Sequence, residues 1–151
     1  MNKVRAKKYY GQHFLKDDNI AKAITDLLSK ESKKVVEVGP GMGVLTKFLI
    51  LKDIDLKLVE IDKESILYLL IHYPKLEKQI IEADFLKLNL QEEIGENFAL
   101  IGNFPYNISS QILFAVLENK DIIPEVVGMF QKEVAERIVA KQGKTRGLLS
   151  V

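Results

Sequence analysis

The chain contains no cysteine. This excludes disulfides, a thiolate metal site and thiol redox chemistry. Its two histidines, His13 and His72, are too few for a zinc site of the usual kind, and no metal is expected. No apolar run approaches the ~18 residues that a membrane-spanning helix requires. The charged N-terminus is not followed by the apolar stretch of a secretory signal, so a cytoplasmic location is the default. An excess of one charge is also lacking. Lys and Arg number 22 against 21 Asp and Glu, so global charge points to no class of partner. Internal repeats, low-complexity tracts and linkers are absent too. The 151 residues, 47% of them apolar, are enough for one domain with a real core.

What is present is organised around Val35 to Gly43, Val-Val-Glu-Val-Gly-Pro-Gly-Met-Gly. A short β-branched run that ends in alternate glycines reads as a buried parallel strand and a tight turn. Glycine at Gly39, Gly41 and Gly43 lets the backbone turn sharply and come close to a ligand. A helical pattern follows, with Val44, Leu45, Phe48 and Leu49 spaced for one buried face. A second apolar strand, Leu56 to Ile61, carries Glu60 about twenty positions after the glycines, where a ribose-binding carboxylate belongs. A solvated strand end is the competing reading for Glu60 and for Asp62. Val44 stands where the dinucleotide fingerprint has its last glycine. That favours a nucleoside ligand without phosphates over a pyrophosphate.

Residues 1 to 16 carry Lys3, Arg5, Lys7, Lys8 and Lys16, no acid, and Tyr9, Tyr10 and Phe14 among them. Basic plus aromatic is the composition of a nucleic-acid-binding arm, in which cations meet phosphates and rings stack on bases. A solubilising tail is the alternative. Asp17-Asp18-Asn19 is expected to cap a helix from Ile20 to about Leu28, with Ile20, Ala23, Ile24, Leu27 and Leu28 on its buried face. A further helix, Glu64 to about Tyr73, is stopped by Pro74, with His72 on its surface. A third strand, Gln79 to Ala83, ends at Asp84, either a cap or turn residue or a third ligand-bearing strand end.

The fourth strand, Phe98 to Gly102, leads into Asn103-Phe104-Pro105-Tyr106. Pro105 holds Phe104 extended and so aims its carbonyl. The Asn103 side-chain oxygen is a second acceptor nearby. Two convergent acceptors suit an exocyclic amine with two N–H donors, and Tyr106 offers a face on which a flipped-out base can stack. A proline turn with a core tyrosine is the competing reading. Ser109 and Ser110 are expected to cap a helix through Leu117. A fifth strand, Glu125 to Phe130, precedes a helix from Lys132 to Ala140 and a basic loop with Lys141, Lys144 and Arg146.

Gln12-His13-Phe14-Leu15, Glu37-Val38-Gly39-Pro40-Gly41-Met42-Gly43, Glu60-Ile61-Asp62, Ala83-Asp84 and Asn103-Phe104-Pro105-Tyr106-Asn107-Ile108-Ser109 occur in one order. Together they resemble the small-subunit rRNA adenine N6-dimethyltransferase family, over almost the whole chain. Met129 to Arg137 looks like the housekeeping small-subunit enzyme more than the large-subunit resistance methylases. The resemblance implies an α/β, Rossmann-like class I methyltransferase fold with a mostly parallel sheet. It also implies S-adenosylmethionine as cofactor and 16S rRNA of the small-subunit precursor as partner. It assigns the methionine end of the cofactor to Gly39, Gly41 and their turn, the ribose hydroxyls to Glu60, and the cofactor's adenine amine to Asp84. His13, Leu15 and Asn103 line the same pocket. Asn103 and the Phe104 carbonyl receive the target amine, and Tyr106 stacks on the target base. The family usually has Asn at His13 and Leu at Phe104. Its members continue through further strands and a helical domain, so residues 1–151 are expected to be an incomplete catalytic domain, inactive alone. A helix is expected to start near Leu148. Val126 to Phe130 should then be an open edge, and the chain should self-associate. A non-catalytic rRNA-binding assembly factor and a nicotinamide-dependent oxidoreductase are the competing functions.

Overall fold

A computed structural model describes residues 17–104 and 108–130, and the backbone of 148–150. Among these, six strands form one parallel sheet, interleaved with helices. In chain order the elements are α1 (Asp18–Asp26), β1 (Lys34–Val38), α2 (Thr46–Leu49), β2 (Asp55–Glu60), α3 (Lys63–His72), β3 (Ile80–Glu82), α4 (Leu90–Glu93), β4 (Ala99–Asn103), α5 (Ser109–Glu118), β5 (Glu125–Phe130) and β6 (Leu148–Ser150). Short 3₁₀ turns at Pro74–Gln79 and Phe85–Lys87 flank β3. Pro74 at the start of the first of these ends α3, as expected from its missing N–H.

The sheet order is β3-β2-β1-β4-β5-β6, and every neighbouring pair is parallel. Strands 1 to 3 run outward to one side and strands 4 to 6 to the other. The direction of winding therefore reverses between β1 and β4, and the carboxyl ends beside that point form a crevice. Val35 and Val36 show why both faces need cover. Val36 belongs to a core with Leu100, Phe98, Ile112, Leu113 and Phe130, whereas Val35 belongs to one with Leu56, Leu58, Ala21, Ile24, Leu45 and Leu49. Successive side chains on a strand point to opposite faces, so α5 and α4 cover one face and α1 and α2 the other. Truncating a fully buried side chain such as Leu100 to alanine would cost about 2–5 kcal/mol.

Several sequence expectations need correction. α1 starts at Asp18, with the Asp17 carboxylate accepting from the N–H groups of Asn19 and Ile20 at 2.8 and 3.4 Å. Its buried residues are Ala21, Ile24 and Thr25, whereas Ile20 and Leu27 are each 44% exposed. Ala23, expected on the buried face, is exposed, and Thr25, not expected there, is buried. The Thr25 hydroxyl bonds back to the Lys22 carbonyl at 2.8 Å, which makes it compatible with burial. After the glycine turn, α2 is a single turn of helix. Leu45, Thr46 and Leu49 are buried there, and Val44 and Phe48 only partly so. Ser109 and Ser110 are not caps. Ile108 occupies the N-cap without a side-chain bond, and Ser109 is the first, buried residue of α5.

The largest correction is at the C-terminal end. Leu148–Ser150 is a strand, not the start of a helix, and it pairs in parallel with Gly128–Phe130 of β5. An apolar strand with unpaired N–H and C=O groups captures an available strand, and here the chain supplies it. The edge invoked for self-association is therefore covered along those residues. The proposed helix 132–140 and the basic loop after it lie outside the described residues.

Candidate functional site

The crevice is built from strand ends. β1 delivers Gly39 and Gly41, with positive φ of 67° and 57°. The Gly39 amide donates to the Val59 carbonyl at 2.9 Å, which ties the start of the turn to β2. Among the described residues, a Cβ on Gly39 would meet nothing within 4 Å. Gly43 differs, because a Cβ there would stand 3.0 Å from the Tyr73 ring and 3.3 Å from Leu69. Gly39 thus faces away from the other described elements, whereas Gly43 lets α3 pack against the turn.

β2 delivers Glu60, which is 2% exposed. Its Oε1 accepts the Gly41 N–H at 3.0 Å, and its Oε2 accepts the N–H groups of Ile61 and Asp62, each at 3.0 Å. The carboxylate therefore braces the glycine turn across the β1–β2 gap. Burial pushes its pKa up, the three N–H groups oppose that shift, and the neighbouring Asp62 carboxylate adds to it. Asp62 itself caps α3, accepting the Ser65 N–H at 3.1 Å and the Ser65 hydroxyl at 2.8 Å. It is buried and so is not a solvated strand end.

Sequence reasoning gave no role to Glu37. It lies in the middle of β1, 1% exposed, and its Oε1 accepts the Thr46 hydroxyl at 2.6 Å. Burial pushes its carboxyl up to about 8; the Thr46 bond opposes this and the Glu60 charge reinforces it. An acid inside an otherwise β-branched strand was the available signal, because a buried carboxyl demands a partner or a proton. Two buried carboxyls, Glu37 and Glu60, thus lie beneath and beside one glycine turn.

β3 leads to Asp84, partly exposed, which caps the following 3₁₀ turn by accepting the Leu86 N–H at 3.0 Å. Asp84 is thus a cap, one of its two readings, and it stands just past a strand end. β4 ends in Asn103, half-buried and in register with Met129 of β5. Phe104 follows, 1% exposed, its amide donating to the Met129 carbonyl at 3.3 Å. Gly39, Gly41, Glu60, Asp84, Asn103 and Phe104 therefore all stand at or just past the carboxyl ends of neighbouring strands. Lys3, Arg5, Lys7, Lys8, His13, Leu15 and Tyr106 lie outside the described residues. His72 is an exposed helix-end residue stacked on Tyr68 at 3.9 Å, apart from these strand ends. No described helix is long and apolar enough to cross a membrane.

A family model described as Ribosomal RNA adenine dimethylase matches residues 3–151. The chain belongs to this family. Among curated relatives, it is 61% identical to Ribosomal RNA small subunit methyltransferase A of Flavobacterium johnsoniae and 58% identical to that of Bacteroides thetaiotaomicron. In both cases all of the chain is covered, but only 59% and 58% of the relative. Among solved structures, the 23S rRNA methyltransferase ErmE matches with a TM-score of 0.67 at 27% identity, over 88% of this chain and 54% of that one. A dimethyladenosine transferase from Plasmodium falciparum matches with a TM-score of 0.64 at 30% identity, over 84% and 46%. The fold of this rRNA adenine dimethylase family member is thus the Rossmann-like class I methyltransferase fold. The parallel sheet by itself would equally suit a dinucleotide enzyme, so the family match is what separates the two.

Proposed function

We propose that the chain binds S-adenosylmethionine and positions N6 of adenines in small-subunit 16S rRNA for two successive methyl transfers, with residues 1–151 contributing the catalytic domain. The observation that carries this reading is the convergence of the glycine turn, a buried carboxylate braced on it and the Asn103–Phe104 strand end at the carboxyl ends of the neighbouring strands β2, β1 and β4. The donor set fits the cofactor. No described residue comes within 4 Å of a Cβ placed on Gly39, and the glycine itself leaves the methionine end room to approach the backbone. Glu60 is already held by three backbone donors; two of them fill its Oε2, and its Oε1, which accepts only the Gly41 N–H, keeps a second acceptor direction for a ribose hydroxyl. Asp84 would accept the cofactor's adenine amine, and His13 and Leu15 would complete the pocket.

When bound, S-adenosylmethionine supplies a methyl group on a sulfonium that is already a good leaving group. The work left to the protein is positioning. The adenine amine is a weak nucleophile because its lone pair is delocalised into the ring. Asn103 Oδ1 and the Phe104 carbonyl would each accept one of its N–H bonds and so favour a pyramidal nitrogen with its lone pair aimed at the methyl group. These bonds strengthen as the nitrogen gains positive charge, so they stabilise the transition state more than the ground state. Tyr106 would hold the base by stacking. The arm with Lys3, Arg5, Lys7 and Lys8 would hold the phosphates.

Titration calorimetry with S-adenosylmethionine tests the cofactor half, and one-site binding is expected. Transfer of labelled methyl groups to small-subunit RNA, by this chain extended to the length of its relatives, tests the reaction. Binding of RNA with no label transferred would favour a non-catalytic assembly role instead.

A further inference from the structure

The Phe104 ring has no part in the chemistry just described, yet it is among the largest fully buried side chains. It is stacked on Phe130, with ring centroids 4.6 Å apart and planes 17° from parallel. The backbone around it is bare. Gly102 and Gly128 are register partners across β4 and β5. A Cβ on Gly102 would stand 3.2 Å from Phe104 Cε1 and 2.8 Å from the Val38 carbonyl oxygen. A Cβ on Gly128 would stand 2.5 Å from Phe104 Cε2 and would also collide with the Gly102 carbonyl oxygen. Neither glycine has a positive φ. They are needed for the room they leave, not for a special backbone conformation.

The result is a slot in β4–β5 that accepts one flat ring. Phe104 is held in it twice over, by its ring against Phe130 and by its amide on the Met129 carbonyl. With both fixed and an extended conformation imposed by the following proline, the peptide plane that carries the Phe104 carbonyl has little freedom left. We propose that Gly128 and Phe130 of β5 are positioning residues for methyl transfer, seating the Phe104 ring so that its carbonyl is aimed at the target amine. This rests on the reading that this carbonyl accepts an N–H of adenine N6. Neither residue touches substrate; both act through Phe104.

The test uses Phe130→Leu, which keeps an apolar side chain but abolishes the stack, and Gly128→Ala, which narrows the slot. Phe104-Pro105 is the only Phe-Pro pair in the sequence. Labelling Phe carbonyls with ¹³C and Pro nitrogen with ¹⁵N therefore gives one cross-peak, from this carbonyl alone. In both variants that cross-peak should shift or broaden beyond its linewidth. Affinity for S-adenosylmethionine should stay within about twofold of the parent, while kcat for methyl transfer falls about tenfold or more with little change in KM for RNA. The ratio of monomethyl to dimethyl product should rise, because the second transfer must re-aim an amine that has one N–H left. An unmoved cross-peak in Phe130→Leu overturns the proposal whether or not the protein methylates RNA. Equal losses of cofactor affinity and kcat would also overturn it, showing that the slot serves the sheet as a whole. Turnover is read in the chain extended to the length of its relatives; absent methyl transfer in that parent counts against the proposed function, while the cross-peak still decides the positioning role. Should Gly128→Ala not fold, Phe130→Leu carries the test.

Discussion

Replacing Glu60 by alanine removes one carboxylate that serves two purposes. In the free protein it accepts the N–H groups of Gly41, Ile61 and Asp62, each at 3.0 Å. Ile61 is exposed, so water can take over its N–H. Gly41 and Asp62 are buried, and a buried donor left without a partner costs about 1–3 kcal/mol. Part of that loss is offset, because the carboxylate is itself buried unfavourably, as its raised pKa records. A net loss of about 1–3 kcal/mol of folding stability is expected from this balance. For the cofactor, the lost charge-assisted acceptor is worth about 1.5–3 kcal/mol, or roughly a 10- to 100-fold rise in Kd. Glu60→Gln keeps the shape and one acceptor but turns an amide N–H₂ towards one of the backbone donors, so it should fall between parent and alanine in both measurements. Urea unfolding gives the stability and calorimetry with S-adenosylmethionine gives the affinity. If the alanine variant loses stability but binds within about twofold of the parent, Glu60 is only a brace for the turn and the ribose assignment is wrong.

Glu37 predicts a pH dependence. Its folded pKa near 8 lies above the ordinary carboxyl value of 4.5, so between these the native state holds a proton that the unfolded state has lost. The stabilisation is complete below the ordinary value and declines as pH rises, by about 1.4 kcal/mol per unit until the folded pKa is passed. Glu37→Gln mimics the protonated form and should flatten that decline; unfolding curves at several pH values that remain parallel to the parent's would refute it. In the chain extended to the length of its relatives, Asn103→Ala should slow methyl transfer about 10²-fold with a much smaller effect on cofactor affinity, and an unchanged single-turnover rate would remove Asn103 from the amine site. Tyr106→Ala should weaken capture of the target base by about 1–3 kcal/mol, read as a higher KM for RNA. Neutral substitutions at Lys3, Arg5, Lys7 and Lys8 should flatten the salt dependence of RNA binding, and an identical slope would reduce that stretch to a solubilising tail.

Strands and strand-end chemistry were legible because they are local. The β-branched runs at Val35, Leu56 and Val126, the alternate glycines, and polar groups just after each apolar run carry their meaning within a few residues. α3 with its proline stop and β5 fall where the sequence puts them, to within a residue or two. α1 was mistaken in its face. The expected face took Ile20, Ala23 and Leu27 with Ile24 and Leu28, and left out Ala21 and Thr25. The packing against α2 and β5 selected the smaller pair, whose threonine bonds its own helix. Glu60 was found by its position, but its inward bonds to Gly41 depend on the distance between two strands that are neighbours only in the folded sheet.

The sequence by itself determined an α/β chain whose strand ends bear a glycine turn, two carboxylates and an asparagine followed by a proline-fixed turn, because each of these is a property of consecutive residues. Only the tertiary structure decided which strands are neighbours, and three consequences come from that alone. Glu37 is sealed under the turn with Thr46 as its partner. Leu148–Ser150 closes the β5 edge that had been expected to lie open. Gly102 and Gly128, distant in sequence and directly opposite in the sheet, leave the space for the Phe104 ring. Strand order and register depend on which faces bury together, and that is an agreement among residues far apart in the chain.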